Sequence, residues 1–454
     1  MKKISLIAAA MFAAVTSMSA AHADYTPNIY FNGYLRTGVF HGKGGQMTKF
    51  NVNKVGRLGN ENDSYGEIAL GSDIIKVDDT VWTVNSRFTV ADNKHNQDWQ
   101  STDGDDSSAN HNHLALRELF VNAKGVLDWD KDASVWVGKR FYKREDIHIT
   151  DMYYYDISGY GAGLDGLSVG SGKLDLAWIR QDDAATSYSD NKNTEYDTFV
   201  SVNKLDARYN FPVWDNANLQ IADTYYIAER DNKYAHLRNE VKNANTFDIE
   251  LNIGFNGGWN KTVYQWMHGS NADGVHYGTG NWLDYTGNHN SANGHRLINT
   301  GDITITDNFK LQHVENVAWS SGLDHNDVKK DNKYVRSTAD KKSTYSFVIR
   351  PYYQLTKMTR LIWEAGAYYD VTKNEDGTKN KEKGQKLTMA YGITPDASNM
   401  WSRPEIRLFA SYIHGTVTEN DVRKDVNLTN YTNKDGSVDY NHNFMFGVQV
   451  EAWW

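Results

Sequence analysis

The chain alternates. In the closing stretch FMFGVQVEAWW, residues 444–454, Phe444, Phe446, Val448, Val450, Ala452 and Trp454 fall on one face at a period of two, and Met445, Gly447, Gln449, Glu451 and Trp453 on the other. The same pattern runs through IYFNGYLRTGVF, where Ile29, Phe31, Leu35 and Val39 oppose Asn32, Tyr34 and Arg36. It returns in VWTVNSRFTV, with Trp82, Val84, Phe88 and Val90 against Thr83, Asn85, Arg87 and Thr89, and in RPEIRLFASYI, with Ile406, Leu408, Ala410 and Tyr412 against Glu405, Arg407, Phe409 and Ser411. Each segment has the length of a tilted strand crossing a hydrocarbon core, roughly 9 to 11 residues. Long polar connections such as ADNKHNQDWQSTDGDDSSANHNH, RQDDAATSYSDNKNTEYD and TKNEDGTKNKEKGQ contrast with short ones such as FPVWDNAN and TPDASNMW. Long loops at one rim and short turns at the other predict an outer-membrane β-barrel. Helical periodicity is nearly absent, and no linker divides the chain.

The first residues change the compartment. MKKISLIAAAMFAAVTSMSAAHA has a basic start at Lys2 and Lys3, an apolar stretch and a small-x-small ending at Ala21 and Ala23. This predicts a signal peptide over 1–23 and a single mature domain over 24–454. At roughly 24 residues per strand with its connection, that length accommodates about 16 to 18 strands, enough for a water-filled channel. Cysteine is absent, so no disulfide or thiolate metal site braces the exported chain. Without the signal lysines, about 46 basic side chains face 57 acidic ones, which argues against nucleic acid. The 28 Tyr, 14 Trp, 16 Phe and 36 Gly with only 5 Pro suit interface girdles of aromatics, although a soluble secreted β-protein shares these totals.

Chemistry-bearing motifs are few. GAGLDG, Gly161–Gly166, has dinucleotide-loop spacing, but the following LSVGSGKLDLAWI reads as strand, so a glycine-rich turn is expected. His111 and His113 stand in an acidic loop without a third ligand, and DWDKDASVW lacks the glycine and terminal glutamate of a calcium loop. A G-x-S-x-G nucleophile elbow, an exposed serine in a tight glycine context with a partner base, is not expected in this chain. With 57 acidic residues, carboxylate pairs carry no diagnostic value. Neither an enzyme nor a cofactor is called for.

The informative anomaly is aromatic residues on polar faces: Tyr34 beside Asn32 and Arg36, Tyr65 beside Glu67, and Trp453 beside Gln449 and Glu451. In a barrel these faces meet water. A sugar supplies a reason, because a pyranose offers an apolar C–H face to an aromatic ring and a rim of hydroxyls to charged partners.

These residues, with FNGYLRTG, GRLGNENDSYGEIALG, GKRFYKREDIHITDMYYYDISGYGAGL, WSRPEIRLFASY and the closing EAWW, resemble the maltoporin family of sugar-specific porins from Gram-negative outer membranes. The resemblance runs from the first strand to the last residue. It implies an all-β, transmembrane antiparallel barrel of 18 strands with an inward-folded constriction loop, assembled as a homotrimer in outer-membrane lipid. It further implies facilitated diffusion of maltose and maltodextrins, with a periplasmic sugar-binding protein as a candidate partner. The family's aromatic slide carries over to Tyr34, Tyr65, Trp99, Trp401 and Trp453. Trp259 in GGWNK takes the remaining place, with Thr262 as a competing alignment. Trp99 belongs to a loop that in the family reaches a neighbouring subunit. The polar track carries over to Arg36, Arg57, Glu67, Arg117, Arg144, Asp146 and Asp151, and the constriction to Tyr153. Trp453 then faces the lumen, while Trp454 faces lipid and supplies the terminal aromatic read during assembly. The sucrose-porin branch alters the positions of Arg144, Tyr153 and Asp156, which are unaltered here, and carries an extra N-terminal coiled coil that this chain lacks; both favour maltodextrins. Asn62 stands where well-known members carry a first-loop cysteine, so that loop must be held by other means. Two alternatives stay open: a porin of the same family for another oligosaccharide or β-glucoside, and a secreted carbohydrate-binding or sugar-cleaving β-protein.

Overall fold

Strands dominate the computed structural model, which describes residues 27–43, 49–92, 112–189, 195–230, 243–277, 292–323, 327–330, 333–336, 339–424, 428 and 441–454. The predicted signal peptide, Trp99 and His111 lie outside them. Eighteen strands form one wall: β1 Ile29–Gly42, β2 Ser64–Val77, β3 Thr80–Asp92, β4 Asn112–Lys124, β5 Ser134–Arg140, β6 Gly159–Val169, β7 Gly172–Ser189, β8 Glu195–Trp214, β9 Ala217–Arg230, β10 Ala244–Phe255, β11 Gly258–Gly269, β12 Asn293–Thr306, β13 Phe309–Ser321, β14 Ala339–Gln354, β15 Thr359–Asn374, β16 Lys379–Ile393, β17 Glu405–Glu419 and β18 His442–Trp453. Every strand pairs antiparallel with its chain neighbours. β18 returns to β1 with Trp453 opposite Tyr34, so the sheet closes without a free edge.

Alternation sorts the side chains as the pattern predicts. On β17 and β18, Leu408 is 60% exposed and Phe444 57% exposed on the outer wall, whereas Arg407, Gln449 and Glu451 are buried on the inner one. Trp454 lies outside against Phe31, ring centroids 5.8 Å apart. A twelve-residue strand such as β18, tilted by about 45°, rises roughly 25 to 30 Å, the height of an apolar membrane band.

Short turns gather at one rim, at 78–79, 170–171, 215–216, 256–257 and 307–308, and longer connections at the other. Two polar stretches expected as long loops are largely strand. β7 and β8 run to Ser189 and from Glu195, and β15 and β16 meet across 375–378. A hairpin that projects beyond the membrane band needs ladder hydrogen bonds, not an apolar face, so its polar composition hides it. GAGLDG is likewise strand rather than turn, within β6 and opposite β5 and β7. A side chain at Gly163 would strike the backbone oxygen of Leu176 and the indole of Trp136, so the glycines let Trp136 lie flat inside the wall.

Two of the connections that fold into the barrel shape its lumen. Residues 141–158 form a small hairpin, Glu145–Ile147 with Met152–Tyr155, around a 3-10 turn at His148–Thr150. Its apolar side chains Ile147, Ile149, Met152 and Ile157 pack on inner-wall residues such as Val263, Ile298 and Val348. Its polar backbone is tied down as well: Arg296 and Gln265 donate to the Tyr154 carbonyl at 2.9 and 3.0 Å, and Arg208 to that of Lys143 at 2.7 Å. This is the inward loop the family resemblance implies.

The first connection also turns inward, through a helical turn at Val52–Val55 that rests on β14 and β15. It needs no disulfide. Asn60 clamps it by donating to the carbonyls of Phe50 and Gly56 at 2.6 and 3.0 Å and accepting from the Phe50 N–H at 2.9 Å. Lys386 donates to the Leu58 carbonyl at 2.8 Å, and the Leu58 N–H reaches Glu364 at 3.0 Å. Phe50, Val55 and Leu58 bury themselves against Phe409, Ile413 and Met445. That explains why Phe409 and Met445 sit on the inner, otherwise polar face. Gly56 has φ 90°, and a Cβ there would strike Glu364, so only glycine fits this approach.

Candidate functional site

Between the two inward connections runs a lumen lined by rings on one side and by charges around them. β1 and β2 place Tyr34 and Tyr65 with ring centroids 6.1 Å apart. β18 sets Trp453 opposite Tyr34, and the 394–404 connection brings Trp401 to 6.4 Å from Trp453. β11 adds Trp259, which shares an acceptor with Trp401: both indole N–H groups donate to Asp302 Oδ2, at 3.0 and 2.6 Å. Five of the six expected slide positions therefore follow one another along the wall, and Trp99 is outside the described residues. Trp259 alternates with the inward Lys261, Val263 and Gln265, so Thr262 has the outward parity and bonds to Asn299 at 2.9 Å.

The expected polar residues sit around these rings. Arg36 makes ion pairs with Glu61 at 3.0 Å, Asp63 at 2.7 Å and Asp151 at 3.4 Å, and its guanidinium lies 5.3 Å from the Tyr65 ring centroid. Arg57 reaches Glu61 at 2.9 Å and Glu451 at 3.3 Å and donates to the Tyr34 hydroxyl at 2.7 Å. Glu67 accepts from Tyr65 at 2.6 Å and Arg87 at 2.7 Å. Arg117 donates to Thr89 at 3.3 Å. In the inward hairpin, Arg144 stands over Tyr153, 4.6 Å from its centroid, and over Phe141 at 3.6 Å, with Asp146 paired across the hairpin from Tyr153. Arg36 and Arg57 thus each hold carboxylates at ion-pair distance beside an aromatic ring.

Several lumen residues escape a reading at strict period two. β3 and β4 slip by one residue between Arg87 and Phe88, opposite Arg117, and this bulge turns Arg117 and Glu118 to the same side. Glu118 then takes Arg87 at 2.6 Å and the Phe141 N–H at 2.9 Å. His148 sits edge-on to Trp453 at 5.5 Å and beside Trp401 at 5.3 Å, a position set by the inward fold. Glu451 collects Tyr34 at 3.0 Å, Arg403 at 2.8 Å and Arg407 at 2.6 Å, which makes it the hub under Trp453. Near the short-turn rim, Asp146, His148, Lys261, Asp302 and the three tryptophans line a cavity of about 390 Å³. GLSVG, residues 166–170, does carry G-x-S-x-G spacing. It ends a strand, however, and Ser168 receives Lys173 at 2.8 Å rather than facing a base at a strand-to-helix turn.

A family model described as LamB porin matches residues 29–454, from the first residue of β1 past the end of β18. The chain belongs to the LamB porin family. Maltoporin 1 of Klebsiella pneumoniae is 34% identical over 458 residues, covering 100% of this chain and 99% of that one. Maltoporin 2 of Yersinia pestis is 34% identical over 452 residues, covering 99% and 98%. Among solved structures, OccK8 (OprE) of Pseudomonas aeruginosa aligns with a TM-score of 0.50 at 10% identity over 94% of this chain and 98% of its own, a likeness of fold alone. The porin is thus a multi-pass β-barrel of the outer membrane, in a family of sugar channels rather than of enzymes.

Proposed function

We propose that this porin passes maltose and maltodextrins across the outer membrane by facilitated diffusion, with no bond made or broken. The observation that carries the reading is the succession Tyr65, Tyr34, Trp453, Trp401 and Trp259 along one side of the lumen, each ring next to a charged or carboxylate group. A glucan chain lays the C–H faces of successive rings on such a strip while its hydroxyls exchange partners among Arg36, Arg57, Glu67, Arg117, Arg144, Asp146 and Asp151. Weak, repeated contacts suit transport, since one tight site would trap the solute. Tyr153 with Arg144 narrows the passage. The mature chain begins after Ala23 and works as a homotrimer in which Trp99 serves a neighbouring channel, and a periplasmic sugar-binding protein collects the product.

Liposome swelling with the purified porin tests this. Entry of maltotriose should outpace that of sucrose, and Trp453→Ala should narrow the difference. Equal rates for the two sugars in the natural porin would refute the reading.

A further inference from the structure

We infer that Asp302 is a positioning residue that fixes Trp259 and Trp401, so that the short-turn end of the channel meets sugar with preset ring faces. The inference rests on the sugar-channel reading. Asp302 stands on β12, directly across from Trp259 on β11, and is buried. Its Oδ2 accepts from Trp259 Nε1 at 3.0 Å and from Trp401 Nε1 at 2.6 Å, and Trp401 arrives from a connection 99 residues later. The other oxygen, Oδ1, accepts from Gln312 Nε2 at 3.0 Å, and Gln312 Oε1 in turn accepts from the Tyr352 hydroxyl at 2.7 Å. The carboxylate is therefore held before it holds the indoles.

The backbone carrying Trp401 is secured separately. Arg360 donates to the carbonyl of Asn399 at 2.6 Å and to that of Met400 at 3.3 Å, and Asn399 accepts from the Trp401 N–H at 2.9 Å. The Trp401 side chain is 37% exposed, so packing alone leaves it room to turn. Asp302 supplies the missing constraint: two indole edges converge on one oxygen, and both rings line the 390 Å³ cavity together with Trp453. A cavity of that size falls within the range of small-molecule sites. Without the carboxylate, both indoles must be ordered when sugar binds, which amounts to about a tenfold loss of affinity.

The test is maltohexaose block of single channels, with tryptophan emission recorded in parallel, for the natural porin, Asp302→Ala, Asp302→Asn, the double variant Trp259→Phe/Trp401→Phe, and that double variant with Asp302→Ala. Asp302→Ala should weaken block about tenfold, mainly through faster release, and shift the sugar-free emission as the indoles lose their acceptor. Asp302→Asn keeps an acceptor oxygen and should recover part of the loss. In the double variant the rings have no N–H to hold, so adding Asp302→Ala should change block little. A full loss there would mean that Asp302 binds sugar itself and would overturn the positioning role, as would unchanged block in the single variant. If the natural porin ignores maltohexaose, the sugar reading fails on its own, and an unshifted emission in Asp302→Ala then decides against the clamp separately.

Discussion

Replacing Glu364 with alanine should release the first inward connection while leaving the barrel intact. Glu364 is fully buried on β15 and gathers four donors: the Leu58 N–H at 3.0 Å, Lys386 Nζ at 2.5 Å, and Arg350 Nε and Nη2 at 2.6 and 2.5 Å. Its loss leaves two buried cations uncompensated, a change of about 3 to 5 kcal/mol, with a further cost of about 1 to 3 kcal/mol for the unsatisfied Leu58 N–H. The wall has its own closed ladder of hydrogen bonds, so the strain is relieved where it costs least, by letting residues 49–63 come away. A shift of 3 to 5 kcal/mol raises the detached population by roughly two to three and a half orders of magnitude. Arg57, Glu61 and Asp63 leave with the segment, and the channel widens around Tyr34 and Arg36. Two assays read this: sugar-free ion conductance should rise, and trypsin should cut at Lys54 or Arg57 while the heat-modifiable barrel band persists. Natural conductance together with trypsin resistance would refute the argument that this carboxylate anchors the first inward connection.

Three other outcomes follow from the same geometry. Tyr153→Ala should raise ion conductance and weaken sugar block in bilayers, because it removes the ring under Arg144, whereas unchanged values would remove Tyr153 from the constriction. Trp453→Ala should insert normally yet bind maltodextrins less tightly, while Trp454→Ala should lower the amount of assembled porin in outer-membrane fractions, since the two rings face opposite sides of β18. Trp259→Ala should weaken maltohexaose block several-fold and Thr262→Ala should leave it unchanged; the reverse would favour the competing alignment at Thr262.

What was legible in the sequence was whatever repeats at a period of two. Phe444 and Glu451 announced an outside and an inside, and a strand facing lipid on one side and water on the other has no other way to be written. The pattern failed where the chain departs from that period. One extra residue at Arg117 turns Glu118 inward, and polar hairpins beyond the membrane lose the apolar half of the signal. It was also silent about tertiary cover. Phe409 shares its face with Arg407 and Ser411, and only the first connection, carrying Phe50 and Leu58, supplies its apolar cover. Asp302 and His148 gave no local sign, because their partners Trp259, Trp401 and Trp453 come from three other elements.

The central claim is that the aromatic succession binds glucan chains, and single-channel conductance of the purified porin titrated with maltotriose, maltohexaose and sucrose tests it most directly. The account predicts block that strengthens from maltotriose to maltohexaose, as more rings engage, and little block by sucrose. An open channel whose conductance is indifferent to all three sugars would contradict it.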